Sequence, residues 1–411
     1  MSKSTVIRAG ALSAFLAVAG LAMAAVAPEA VAQTQGGWRK ELADKAQQAQ
    51  AAGQKGNYSE AIRLLKEAKA KTPLSPQEEQ GINELLIWAA SGAKDAKLVI
   101  ATVDERIATG RVTGADLGRK LRLKATSQYT LRDYRGAMAT YDKLAAAGGL
   151  TADDLTAQAS AQVAVGDFAK ATTTLEKAIA ANDKAGRSGK NTTLLKMLYS
   201  SYAKTNNDAK RMQTLHRWVA VAPSAETFKY LANSYEVASA KDPVVMINIY
   251  RLGFSKGILS GEHYANYAEA ALDLSSPGEA VAALEKGMAA GVIKKDDRNN
   301  RLLADAKSQV DRLKTTLTQM EAEAKATKTG EPEAKLATAF FTLKSYAKAS
   351  EAAQRAVTKG NLKRADDVNM VLGISLANSK KSAEAKKAFT AAAAANGKTR
   401  GVADLWSSLT G

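Results

Sequence analysis

The residue types able to do chemistry are few. His216 and His263 are the only imidazoles in the 411 residues, and there is no cysteine. A zinc site needs three or four converging nitrogen, sulfur or oxygen donors, and a hydrolytic triad needs a base beside its nucleophile. Two histidines far apart in sequence supply neither, so both read as ordinary helix positions. Gly397-Lys398-Thr399 matches the end of a phosphate loop, but the position five residues earlier is Ala392 rather than glycine, and no strand precedes it. Three carboxylate pairs, Asp153-Asp154, Asp296-Asp297 and Asp366-Asp367, have the composition of metal or acid–base sites. Each, however, stands where a helix is expected to begin, and there acidic side chains stabilise unpaired amides and the positive end of the dipole. No metal, cofactor or catalytic residue is expected, and the chain does not read as an enzyme.

The N-terminal segment places Lys3 and Arg8 ahead of an apolar stretch from Ala9 to Ala25, followed by Ala30-Val31-Ala32. That is the layout of a cleavable secretory leader over residues 1–32. The apolar run is short and alanine-rich, which argues against a membrane anchor, and nothing later is apolar enough to span a bilayer. The expected location is therefore periplasmic. Without the leader the chain has 56 basic and 40 acidic residues, a formal charge of +16. For an exported protein nucleic acid is not the expected partner. Lipid headgroups, cell-wall polymers or acidic protein segments are, unless the charge is simply a solvated lysine-rich surface.

These few polar groups are carried by a repeating element. In VLGISLANSKKSAEAKKAFTAAA (371–393), Leu372, Gly373 and Leu376 share one helical face. After a break, Ala385, Phe389 and Ala392 share another, so the segment predicts two amphipathic helices joined by a tight turn. The offsets recur with Gly-Asp-Phe at 166–168 before Ala171, Leu175 and Ala178, and with Arg-Asp-Tyr at 132–134 before Ala137, Tyr141 and Leu144. They recur again with Gly-Asn-Tyr at 56–58 before Ala61, Leu65 and Ala68, at Phe228–Tyr235, and at Leu336–Ala349. Weaker copies fit Ile87–Val103, Leu195–Pro223, Tyr264–Gly287 and Leu303–Met320. The loop 182–191 reads as a slack insertion. Trp38–Gln54 reads as an N-terminal cap, and Val402, Leu405, Trp406 and Leu409 as a short final helix.

This pattern resembles the tetratricopeptide repeat (TPR), W-x2-L-G-x2-Y followed by A-x3-F-x2-A and P over about 34 residues, with about ten units between Trp38 and Gly397. The resemblance implies an all-α, right-handed α-solenoid in which each unit touches only its neighbours. The expected organisation is a leader over 1–32, repeats over 33–223 and 224–397, and a capping helix over 398–411. The family's groove, lined by first helices, implies a protein or peptide partner. Carrying the register over gives Arg119, Arg122, Thr126, Thr156, Ser160, Lys196, Ser200, Lys229, Asn233, Asn266 and Arg298 as groove positions. Some members of the family grip a C-terminal carboxylate. Lys229, Asn233 and Asn266 match parts of that pattern and Arg298 part of the rest, while Leu302 falls where a second basic residue belongs, next to Arg301.

Segments 217–238, 257–306 and 359–389 are also similar to the periplasmic TPR proteins that accompany TonB–ExbB–ExbD systems. The matching features are a Trp-containing second helix followed by proline, the Ala-Gly-Val-Ile link at 290–293, and Lys-Gly-Asn-Leu-Lys-Arg at 359–364. This implies a non-catalytic scaffold supporting a TonB-type energy-transduction or transport complex. Two alternatives stand beside it: a coordinator of envelope or cell-wall assembly, and a binder of an anionic polymer or membrane surface through the basic charge.

Overall fold

The computed structural model describes residues 37–411, so the leader read over 1–32 lies outside the described residues. The described residues form twenty α-helices and one 3-10 turn, with no strand among them. They group into two compact units that divide between Asn207 and Asp208.

The first unit holds four helix hairpins and a ninth helix. They are α1 (Lys40–Gln54) with α2 (Tyr58–Lys69), α3 (Pro76–Gly92) with α4 (Ala96–Ala108), α5 (Gly114–Thr130) with α6 (Tyr134–Ala146), α7 (Ala152–Ala164) with α8 (Phe168–Lys184), and then α9 (Thr192–Lys204). One turn design closes all four. A residue in the left-handed region (Gly56, Lys94, Arg132 or Gly166) ends the first helix. The next residue, Asn57, Asp95, Asp133 or Asp167, sends its amide back to a carbonyl five residues earlier. Its side chain then caps the second helix by accepting an amide three residues on. Orphan groups at both helix ends are thereby satisfied within three residues, which is why so short a turn suffices.

Small residues let paired helices approach. Ala61, Ala125, Ala137, Ala159 and Ala171 are fully buried, with Tyr141 and Leu175 filling the space to the next hairpin. Ala171→Leu is expected to overpack this contact and lower the unfolding free energy by about 1–3 kcal/mol. Urea denaturation measures this, and an unshifted midpoint would place Ala171 outside the packed seam.

Two local expectations change in this unit. Residues 182–191 are not slack: Asp183 Oδ1 accepts from Ser188 Oγ at 2.7 Å and from Asn191 Nδ2 at 2.9 Å. Asn182 donates to the fully buried Asn191 at 3.0 Å. Four short polar side chains thus tie the loop together where apolar packing is absent. Trp38–Gln54 is not a separate cap either. Its helix α1 is the first member of the first hairpin, and Trp38 packs on α3, where a side chain at Gly81 would meet its ring at 2.1 Å.

The second unit begins with α10 (Asp208–Val221) and continues as α11 (Ala225–Ala238) with α12 (Pro243–Lys256) and α13 (Gly261–Asp273) with α14 (Pro277–Ala289). Then come α15 (Asp297–Ala326), α16 (Glu331–Thr342) with α17 (Tyr346–Lys359), α18 (Ala365–Asn378) with α19 (Ser382–Ala395), and α20 (Gly397–Leu409). The weak repeat read over Leu303–Met320 is absent. α15 runs uninterrupted for 30 residues, because the stretch contains no left-handed residue followed by a cap and an aromatic.

Here the array also departs from neighbour-only contact. Second helices α10 and α12 pack against α20, and α14 packs against α16, with α15 spanning the return. Trp406 Nε1 donates to the carbonyl of Asn248 at 3.0 Å, Arg364 pairs with Asp242 at 3.1 Å, and the Glu279 amide donates to Thr342 Oγ1 at 3.1 Å. The cause is legible in α12, whose residues from Val244 to Gly253 are all buried. A helix apolar on every side cannot be covered by its own hairpin alone.

Candidate functional site

The residues singled out for chemistry are committed to structure. His216 Nε2 lies 2.8 Å from Tyr235 Oη, and burial lowers its imidazole pKa to about 4. His263 Nδ1 lies 2.8 Å from Ser260 Oγ, its ring edge-on to Phe228. Among the described residues no three potential ligands cluster. Thr399 of the Gly-Lys-Thr stretch is buried and donates to Asp366 at 2.6 Å. The three aspartate pairs do begin helices: Asp154 completes a capping box with Thr151, Asp296 caps α15, and Asp366 lies in the first turn of α18.

In the first unit the groove candidates are largely engaged. Arg122 grips Asp154 with its Nε at 2.8 Å and 3.1 Å, so it braces α5 to the start of α7. Arg119 pairs with Asp116 at 3.1 Å. Thr156 and Ser160 return their hydroxyls to backbone carbonyls four residues earlier, and Ser160 is buried. Thr126 bonds to Tyr141, while Lys196 is half-buried and Ser200 exposed. Sequence reasoning missed the cluster behind them. Glu84 holds both Arg106, at 3.3 Å, and Lys120, and the two cations are only 2% and 4% exposed.

In the second unit, α11 and α13 adjoin where Phe228 meets His263. Their outward faces carry Lys229, Tyr230, Asn233 and Val237, the last 81% exposed. Asn266 is half-buried and bonds Tyr250, and Arg298 on α15 pairs with Glu269 at 3.0 Å. Glu236, Glu262 and Glu269 are exposed on the same two helices. Glu236 pairs with Lys241 at 3.1 Å and Glu269 with Arg298, so Arg298 is already occupied and the face, with exposed Tyr230 and Val237, suits a mixed apolar and polar segment better than a terminal carboxylate.

The largest polar network is interior and was not anticipated. Arg251 on α12 binds Glu279 through two bonds of 2.9 Å and 2.8 Å, bonds Asn248 at 3.1 Å, and lies 4.8 Å from the centre of the Phe341 ring. Glu279 also accepts from Ser276 at 2.6 Å and from Tyr267. Asp367 comes within 3.7 Å of Arg251, and burial raises its carboxyl pKa. The available signal was Arg251 itself, a lone charge inside the apolar run VVMINIYRLGF.

No family model matches the chain, and no curated protein does. Among solved structures it is similar to a tetratricopeptide repeat protein from Parabacteroides merdae, with 14% identity, a TM-score of 0.35, and 66% of this chain and 100% of that one covered. It is also similar to the TPR2AB domain of yeast Sti1 in its complex with pHSP90, with 14% identity, a TM-score of 0.26, and 72% and 100% covered. A third is the P58(IPK) TPR domain, with 10% identity, a TM-score of 0.27, and 90% and 97% covered. At such depth the fold rests on the hairpins themselves: an all-α array of helix-turn-helix units. No described helix is long and apolar enough to cross a membrane.

Proposed function

We propose that this chain is an exported, non-catalytic scaffold of TPR type that holds a protein partner on the outward faces of α11 and α13. The observation that carries this is the α11 stripe. Tyr230, Asn233 and Val237 recur at helical spacing and stay exposed beside Lys229, on a helix whose opposite side, Phe228, Leu231, Ala232 and Tyr235, is buried. Aromatic and aliphatic groups left in solvent amid hydrogen-bonding side chains are what a partner segment desolvates. Export is supported by the leader pattern over 1–32. Support of a TonB-type complex rests on the resemblance of segments 217–238, 257–306 and 359–389. The envelope-assembly reading uses the same face with another partner.

A photo-crosslinking residue at Asn233 is expected to form protein adducts in intact cells, and one at Glu384 on α19 is not. Val237→Asp should remove most of the adduct, and mass spectrometry of the adduct decides whether ExbB or ExbD is the partner. No adduct at Asn233, or equal adducts at both positions, rules out this face. The anionic-surface reading has its own observation: Lys380, Lys381, Lys386 and Lys387 are exposed around a single acidic neighbour, Glu384. It requires binding that collapses between low and moderate salt.

A further inference from the structure

The turns that close the last three hairpins of the first unit share one edge. Glu84 on α3 holds Lys120 on α5, and Arg122 on α5 holds Asp154 on α7, so these three first helices run side by side in one direction. Their offsets of 36 and 32 positions bring the turns at Lys94, Arg132 and Gly166 to the same end, neighbours about 10 Å apart. There Leu131 and Val165 stand 42% and 36% exposed, each just before the left-handed residue of its turn. Glycine adopts that conformation without strain at 166, but Lys94 and Arg132 hold φ of 58° and 61° with side chains that disfavour it. Both cations, and Arg135 three positions on, are exposed and have no carboxylate partner among the described residues. The aspartates beside them are engaged as caps. Asp95 accepts from the Leu98 amide at 3.0 Å and Asp133 from that of Gly136 at 2.9 Å, where the positive end of the helix dipole offsets their charge.

We propose that this edge docks the chain on an anionic membrane surface, with Lys94, Arg132 and Arg135 against lipid headgroups and Leu131 and Val165 dipping between them. The groups stand on three successive turn tips spread over about 20 Å, so a broad surface meets them together where a single bound ion would meet one. Cations beside exposed aliphatic side chains match the boundary of a bilayer, in which phosphates lie just above acyl chains. A wholly polar polyanion would leave Leu131 and Val165 in water. The backbone strain follows the same logic, because a cation at the tip of a turn reaches the surface first and glycine there would reach nothing. Two aliphatic groups bury little area, so the attachment is weak, reversible and sensitive to salt. The edge belongs to the first unit, whereas the α11–α13 face and the lysines around Glu384 belong to the second. It therefore adds a second kind of partner and does not depend on the first.

Vesicles of phosphatidylglycerol and phosphatidylcholine in equal parts should sediment the mature chain over 33–411 at low salt, and vesicles of phosphatidylcholine alone should not. Lys94→Gly and Arg132→Gly should each weaken binding about fivefold, the weight of one basic residue at an anionic surface. Glycine suits the left-handed backbone at both positions, so an undiminished urea midpoint separates lost binding from a lost fold. Leu131→Gln should weaken binding to the vesicles and leave any binding to soluble polyglutamate as it was, which distinguishes a bilayer from an acidic polymer. Lys386→Gln combined with Lys387→Gln, on α19, should leave vesicle binding unchanged. No binding, equal binding to both vesicle types, or binding that survives the paired glycine substitutions would each overturn the proposal. So would a Leu131→Gln variant that binds vesicles as the parent does, or binding lost through Lys386 and Lys387 instead.

Discussion

Arg251→Met is expected to cost about 3–5 kcal/mol, the loss measured when one partner of a buried ion pair is removed. Methionine nearly fills the volume, so the loss comes from Glu279, left charged in the interior with only Ser276 and Tyr267 to hold it. Arg251→Met combined with Glu279→Gln should recover much of it, because glutamine still accepts those two bonds and carries no charge. Urea denaturation of the three variants decides the matter, and a single-variant loss below about 1 kcal/mol would mean the pair is solvated. The pH dependence carries the same signature. Burial pushes the Glu279 carboxyl up, but the guanidinium beside it and the surrounding hydrogen bonds outweigh burial and hold it below its ordinary value. A depressed carboxylate contributes stability above its unfolded pKa, near 4.5, and that stability is lost as pH falls through the folded value. In Arg251→Met burial dominates and the sign reverses. The gap between parent and variant should therefore begin to narrow above pH 4.5, as the variant's carboxyl takes up its proton, and go on narrowing below it as the parent's carboxylate is titrated.

The hairpins were legible because their turn chemistry is local. Gly-Asn-Tyr, Arg-Asp-Tyr and Gly-Asp-Phe each hold the left-handed residue, the cap and the first apolar contact in three consecutive positions. The aspartate pairs were legible for the same reason, as carboxylates standing where amides lack partners. What could not be read was non-local. Asp366 and Asp367 begin α18 as expected, but Asp366 also holds Arg364, Asn396 and Thr399, and Asp367 approaches Arg251, 116 positions away. Such a pairing leaves no periodicity in either segment. Arg122 shows a second limit: its register gives a groove position, and the register carries no information about Asp154, with which it pairs. Leu303–Met320 has apolar residues at helical spacing but no left-handed residue followed by a cap, and so it forms one uninterrupted helix rather than a hairpin.

Trp406→Ala separates a folded-back second unit from an open array more sharply than any charge substitution. The indole is 6% exposed, stacks on Phe389 with ring centres 5.9 Å apart, and donates to Asn248 on α12, 158 positions earlier. Truncation should lower stability by about 3–5 kcal/mol through lost burial and the cavity left behind. If each repeat touched only its neighbours, the damage would stay in α18–α20. Because α20 instead lies on α12, and Gly401 approaches so near α11 that a side chain there would meet Tyr235 Oη at 2.4 Å, the loss must spread upstream. Native-state hydrogen exchange is expected to show the α12 amides, Val244–Gly253, losing protection together with those of α20. Faster exchange confined to α19 and α20, with α12 protected as before, would show that the return contact does not form in solution. Ten consecutive apolar or paired positions in α12 would then be left without a cover, an outcome the physics of burial strongly disfavours.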